Sequence, residues 1–85
     1  MGMTKEEMFN DNIKLAYSIA RRYQINYPNE YEDILQCAYI GLWKAICIFD
    51  YEHKLSTIAY TIMSNEINYY LRKHRKNQAL TGAIL

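Results

Sequence analysis

Residues Glu32 to Asp50 read EDILQCAYIGLWKAICIFD. Ile34, Leu35, Ala38, Leu42, Ala45, Ile46 and Phe49 recur at steps of three and four, which puts them on one stripe of an α-helix. The spacing predicts one amphipathic helix to about Phe49. Asp33, Gln36, Tyr39, Ile40, Trp43 and Lys44 fall largely off that stripe. A solvent-facing side has no need of Trp and Tyr. Aromatics there are either the edge of a wide core face or a contact surface for a partner, and periodicity leaves both open.

Upstream, Thr4-Lys5-Glu6-Glu7 has the form of a capping box, so a first helix is predicted to start near residue 5. Phe9, Ile13, Ala16, Tyr17 and Ala20 mark its buried stripe, widened by Leu15 and Ile19. Arg21 and Arg22 fall near its end, where the helix dipole favours cations. Asn10-Asp11-Asn12 is expected to kink or interrupt it, because such side chains compete for backbone hydrogen bonds. Pro28 fixes a break over residues 24–29, and Asn29 with Glu32 is the expected cap of the central helix.

Downstream, a short polar break spans Asp50 to Leu55, and Ser56 or Thr57 is expected to cap a third helix reaching about Lys76. Its apolar stripe is Ile58, Ala59, Ile62, Met63, Ile67, Tyr70 and Leu71. Its other side carries Thr61, Asn65, Asn68, Arg72 and Arg75 or Lys76 at helical spacing. Amides and guanidinium groups so arranged can read base edges or grip phosphates. On spacing alone, an ordinary solvated face is the better reading. The division expected is a helical domain over 1–76 and a tail or linker over 77–85, which is uncharged and contains Gly82.

With 85 residues, 51% of them apolar, and only three Gly and one Pro, the chain predicts a single all-α domain, a compact bundle of three to four helices. Nine Tyr suit half-exposed positions and binding surfaces. The net charge of +1 hides an asymmetry: residues 1–50 hold five Lys/Arg against seven acids, and residues 51–85 five against two. Two surfaces with two kinds of partner follow from that. Cys37 and Cys47, ten residues apart on one predicted helix, are roughly 15 Å apart and too distant to bridge. Free thiols in a reducing cytoplasm are the expectation, with no signal peptide and no membrane-spanning run.

No Gly-rich phosphate loop, catalytic triad or flanked carboxylate pair is present, His53 and His74 are isolated, and no Cys/His cluster has metal-ligand spacing. The sequence therefore predicts no enzyme, no cofactor and no metal. The run Arg72-Lys73-His74-Arg75-Lys76 is the stronger signal: it is either a phosphate-binding patch or a basic turn satisfying the helix dipole. Tyr51, Tyr60 and Tyr69 can stack on unpaired bases, worth about 1–3 kcal/mol per base, or serve as core edge.

Laid out this way, residues 12 to 76 resemble region 2 of the bacterial sigma-70 family of transcription initiation factors. Asn12 to Tyr23, NIKLAYSIARRY, resembles the first helix of that region. Glu32-Asp-Ile-Leu-Gln36, then Ile40-Gly-Leu-Trp-Lys-Ala45 and Phe49-Asp50, resembles its most typical segment, E-D-L-x-Q-x-x-x-I-G-L-x-K-A-x-x-x-F-D. Leu55-Ser-Thr-Ile-Ala-Tyr60 resembles the F-S-T-Y-A-x opening of the third helix. Asn65-Glu66-Ile67, with Leu71-Arg72, is most like sporulation-type sigma factors.

The resemblance implies two jobs. The central helix would dock on the clamp helices of the largest RNA polymerase subunit through positions matching Asp33 and Gln36, with Tyr39, Ile40 and Trp43 nearby. The third helix and its entry loop would recognise and melt the promoter −10 element through Ser56, Thr57, Tyr60, Asn65 and Asn68, with Arg72 on phosphate and Lys73, Arg75 and Lys76 in the basic end. Asn12 matches a position near the unpaired non-template strand. Thr61 and Ile62 stand where housekeeping members carry paired Trp, Cys37 replaces a usual Glu, and the loop from Phe49 to Ser56 is shorter. These departures imply an alternative factor with a stricter promoter requirement and weaker intrinsic melting. Without the helix-turn-helix domain that reads the −35 element, the chain would be a domain of a longer factor or half of a split one. Its partners would then be polymerase core, promoter DNA, and a separate −35-reading subunit or an anti-sigma factor.

Two other readings compete. One is a helical interaction protein that binds polymerase or a partner sigma subunit without reading DNA. The weaker is a membrane-surface helix over residues 56–76, which predicts retention on anionic vesicles at physiological salt.

Overall fold

The computed structural model describes the backbone of residues 2–84 and the side chains of residues 2–75. Within these, the chain forms three α-helices and no strand: α1 (Lys5–Gln24), α2 (Tyr31–Ile48) and α3 (Leu55–Ile84), with a 3-10 turn at Pro28–Glu30. The all-α bundle expected from the sequence is the one observed.

The capping box at Thr4 is complete. Thr4 Oγ1 accepts from the Glu7 N–H at 3.1 Å, and Glu7 Oε1 accepts from the Thr4 N–H at 3.3 Å. Such a cap is worth about 1 kcal/mol. No interruption occurs at Asn10-Asp11-Asn12. The Asn12 amide donates to the Met8 carbonyl four residues back, at 2.8 Å, so the side chain finds its hydrogen bond within the continuing helix and does not end it.

The other two expected caps are displaced. Asn29 lies inside the 3-10 turn, which runs directly into α2, and the N-cap position is Glu30 with no side-chain hydrogen bond. At α3 the helix begins at Leu55, because the Ile58 N–H already bonds the Lys54 carbonyl at 3.4 Å, and Ser56 and Thr57 fall in the first turn. That helix also continues past Lys76. Residues 77–84 contain no Pro to stop it and include Ala, Leu and Gln, which favour helix.

The helices alternate in direction. Phe9 packs on Trp43 and Tyr17 on Tyr39, so α1 and α2 are antiparallel. Asp33 meets Tyr70 and Lys44 meets Glu66, so α2 and α3 are antiparallel too. Helix α2 lies at the centre of the core. Its Ile34, Ala38, Leu42 and Ala45 are fully buried against Ala16, Ala20, Ala59, Met63 and Ile67. The predicted stripes hold, with two additions and one correction. Met8 and Gly41 join the buried set, whereas Tyr17 stays 39% exposed beside Tyr39.

The loop from Phe49 to Lys54 turns at Tyr51, whose φ of 65° is rare outside glycine. Asp50 holds the turn by accepting from the Glu52 N–H at 3.0 Å and the His53 N–H at 3.4 Å. Tyr51 is anchored by its ring on Phe49, centroids 4.6 Å apart, and by its hydroxyl on Met8 Sδ at 3.7 Å.

Gly41 is the tightest point. A Cβ there would stand 2.6 Å from Met63 Cα and 2.8 Å from its nitrogen, both backbone atoms. An exposed helix glycine changed to alanine gains about 1 kcal/mol. Gly41→Ala is expected to lose about 1–3 kcal/mol instead, because α2 and α3 must separate to admit one methyl. Urea unfolding of the two proteins measures the sign.

Candidate functional site

Two surfaces carry the residues singled out in the sequence. The first is the outward side of α2. Gln36 and Ile40 are exposed, Ile40 at 49%, and Trp43 keeps 39% of its surface. Ile48 continues the apolar strip at 65% exposure. Tyr39 and Trp43 lean toward α1. Phe9 sits between them, with ring centroids 6.0 Å from Tyr39 and 6.1 Å from Trp43. Phe9, Tyr39, Ile40 and Trp43, with Glu6, Asn10 and Lys44 at the rim, line an open groove of about 540 Å³. Both rings pack on Phe9 as the edge of a wide core face; Tyr39 also meets Tyr17 on its other side, while Trp43 keeps part of its ring exposed.

Asp33 is placed differently from its neighbours. Its Oδ2 accepts from the Tyr70 hydroxyl at 2.9 Å, tying the start of α2 to α3. Glu30 faces His74 at 3.4 Å and Lys44 pairs with Glu66, so three polar contacts run along the α2–α3 seam. Burial, followed by the nearby Glu66 and Asp33 carboxylates, raises the Cys37 thiol above its ordinary range. The half-buried thiol adds no third negative charge beside those carboxylates.

The second surface joins α1 and α3. Asn65, Asn68, Arg72 and Arg75 line a groove of about 440 Å³ whose other wall is Tyr23 and Tyr27. The Tyr23 hydroxyl donates to Asn68 Oδ1 at 2.9 Å. Next to it, the Arg22 guanidinium lies over the Tyr60 ring, 5.4 Å from its centroid, and the Tyr60 hydroxyl meets Ser18 Oγ at 3.3 Å. Lys73 lies over Tyr69 at 5.5 Å. Ser56 is half-buried and Thr57 exposed at the opening of α3. The Asn12 side chain is turned into α1's own backbone. Lys76 lies outside the residues whose side chains are described.

Arg22, Tyr23 and Tyr27 are not among the site residues the sequence nominates. The helix dipole suffices to explain Arg21 and Arg22, and Tyr23 enters only through the resemblance of its segment. The available signal is the cationic spacing Lys14, Arg21, Arg22 around Ser18, which places charge on one side of α1; all four line a second open groove. Asp50, Glu52 and His53 also come together, but they are exposed, and the turn's own hydrogen bonds account for the Asp50 carboxylate.

The arrangement is that of a small helical domain with one apolar side and one side rich in amide, guanidinium and tyrosine groups. The family model of sigma-70 region 2 matches residues 8–77, and the chain belongs to that family, whose members are transcription initiation factors. It is similar to the RNA polymerase sigma-G factor of Bacillus subtilis (strain 168), 39% identical over 71 residues, covering 80% of this chain and 26% of the relative. The chain thus spans about a quarter of that relative's length. No solved structure matches it. Among the described residues, no helix is long and apolar enough to cross a membrane.

Two tyrosines report on the seams. Hydrogen bonding to Tyr17 first, then burial, pushes Tyr39 up to about 12; burial first, then the hydrogen bond to Asp33, does the same for Tyr70. Both hold their protons in the folded state after an unfolded chain has lost them. Their contribution is therefore complete below about pH 10 and is lost as pH rises to about 12. Ultraviolet titration should show two phenols ionising late, and Tyr70→Phe should remove one of them.

Proposed function

We propose that this domain docks on the clamp helices of the largest RNA polymerase subunit through α2 and recognises and melts the promoter −10 element through the α1–α3 face. The observation that carries this reading is the separation of the two surfaces: the groove at Trp43 and the groove at Arg72 share no residue. The exposed Gln36–Ile40–Trp43 ridge supplies apolar area in a form suited to a partner helix. The α3 side supplies the side-chain types that contact phosphates and base edges. Similarity to a sigma-G factor supports the reading as a sigma-factor module.

Melting requires no catalysis by the protein. It requires that captured bases offset an unpairing cost of a few kcal/mol. Asn65, Asn68, Arg72, Lys73 and Arg75 are the DNA-facing set in this reading, with Tyr60 beneath Arg22 at the entry.

Pull-down with the polymerase clamp coiled coil tests the first half. Asp33→Ala/Gln36→Ala is expected to abolish capture. Because Asp33 also holds Tyr70, Gln36→Ala/Ile40→Ala is the cleaner pair and should weaken binding at least about tenfold, or ~1.4 kcal/mol. Capture unchanged in both variants would refute clamp docking.

Arg72→Ala/Lys73→Ala tests the second half. Promoter-strand binding by the core-bound chain should fall, and the salt slope should shrink by about one for each phosphate left without its cation. Clamp capture should be unaltered. A variant that initiates and binds DNA like the wild type would instead favour a partner-binding module that does not read DNA.

A further inference from the structure

We infer that Tyr23 is a positioning residue that sets which base edge Asn68 can read. The inference rests on the proposed DNA-facing role of α3. An asparagine side chain presents an acceptor and two donors, and adenine is recognised by using one of each, toward N7 and N6. Here the acceptor is already engaged. The Tyr23 hydroxyl donates to Asn68 Oδ1 at 2.9 Å, across forty-five residues of sequence and between two different helices. That bond turns Oδ1 toward Tyr23. With Oδ1 bonded to Tyr23, the NH₂ is the part of the Asn68 amide left to meet a base at the groove lined by Tyr23, Asn65, Asn68 and Arg72.

A donor at a groove that also holds Arg72 and Arg75, donors themselves, selects an edge rich in acceptors. Guanine offers N7 and O6, and thymine offers O4. Adenine, which needs an acceptor for its N6 amino group, is disfavoured. Tyr23 is half-buried at the end of α1, where its ring is held by packing, so the bond restricts Asn68 from a rigid element.

The test uses the 85-residue chain bound to polymerase core. It is selected on a forked oligonucleotide pool, randomised through the fork, and the base preference at each position is read out. Asn68→Ala locates the position it reads. At that position the wild type should favour guanine or thymine over adenine. Tyr23→Phe keeps the ring and frees the amide, so adenine should gain about fivefold there, the worth of one ordinary hydrogen bond, with other positions unchanged. Asn68→Asp retains an acceptor for Tyr23 but has no donor, and it should turn the preference toward cytosine or adenine, whose amino groups donate.

A merely structural Tyr23 would lower all positions together. An unchanged preference in Tyr23→Phe, or adenine already favoured by the wild type, overturns the inference and leaves the proposed function standing. A wild type that selects no sequence overturns both.

Discussion

The close approach of α2 to α3 at Gly41 and Met63 governs the rest of the domain. With backbone against backbone, the two helices cannot slide without unpacking Leu42, Ala45, Ala59 and Ile67. The register so fixed brings Asp33 opposite Tyr70, Glu30 opposite His74 and Lys44 opposite Glu66. These pairs are largely exposed and add little stability individually. They record the register that the apolar packing imposes. Small residues do the same on the other side, where Ala16 and Ala20 let α1 settle against the pair.

That register also determines what each surface can offer. Because Asp33 is held by Tyr70, its carboxylate is oriented along the seam and the outward ridge of α2 begins, in effect, at Gln36. Because α1 lies parallel to α3 along its first half, the end of α1 delivers Arg22 to Tyr60 and Tyr23 to Asn68. The nucleic-acid side proposed above is therefore not one helix but two. The Asn68 amide is bonded from a helix more than forty residues earlier.

Much of this is legible in the sequence where local chemistry decides it. Thr4 to Glu7 is a closed hydrogen-bond pattern, and the period of Ile34, Ala38, Leu42 and Ala45 admits only a helix with one buried side. The displaced caps at Asn29 and at Ser56 or Thr57 have one cause. Cap preference ranks side chains, but here backbone hydrogen bonds decide: the Glu30 N–H bonds the Tyr27 carbonyl and draws Asn29 into the 3-10 turn, and the Ile58 N–H bonds the Lys54 carbonyl and starts α3 ahead of Ser56. Likewise Asn12 has the composition of a breaker, yet its amide bonds the carbonyl four residues back without displacing the helix. The order and identity of the motifs reveal the family. Arg22, Tyr23 and Tyr27 stay hidden because α1 and the turn after it meet α3 only in the folded chain, which no spacing within one helix encodes.

The packing of the tyrosines bears on how this domain would open DNA. A stacking platform needs a free ring face. Tyr60 has Arg22 over one face, Tyr69 has Lys73, and Tyr51 is turned onto Phe49. Where housekeeping relatives place paired Trp, Thr61 binds its own helix through the Thr57 carbonyl at 3.2 Å, and Ile62 is half-buried. An incoming base at Tyr60, which is half-buried against the core, would compete with Arg22, and one at the exposed Tyr69 would compete with Lys73 or use the ring's other face. That same cation can turn to a phosphate when the base arrives, exchanging one favourable interaction for another. On the proposed function, strand capture then depends more on charge and amide contacts than on stacking. Charge contacts weaken with salt and amide contacts depend on sequence, so a domain relying on both would open DNA within a narrower range of salt and promoter sequence than one carrying a Trp wedge.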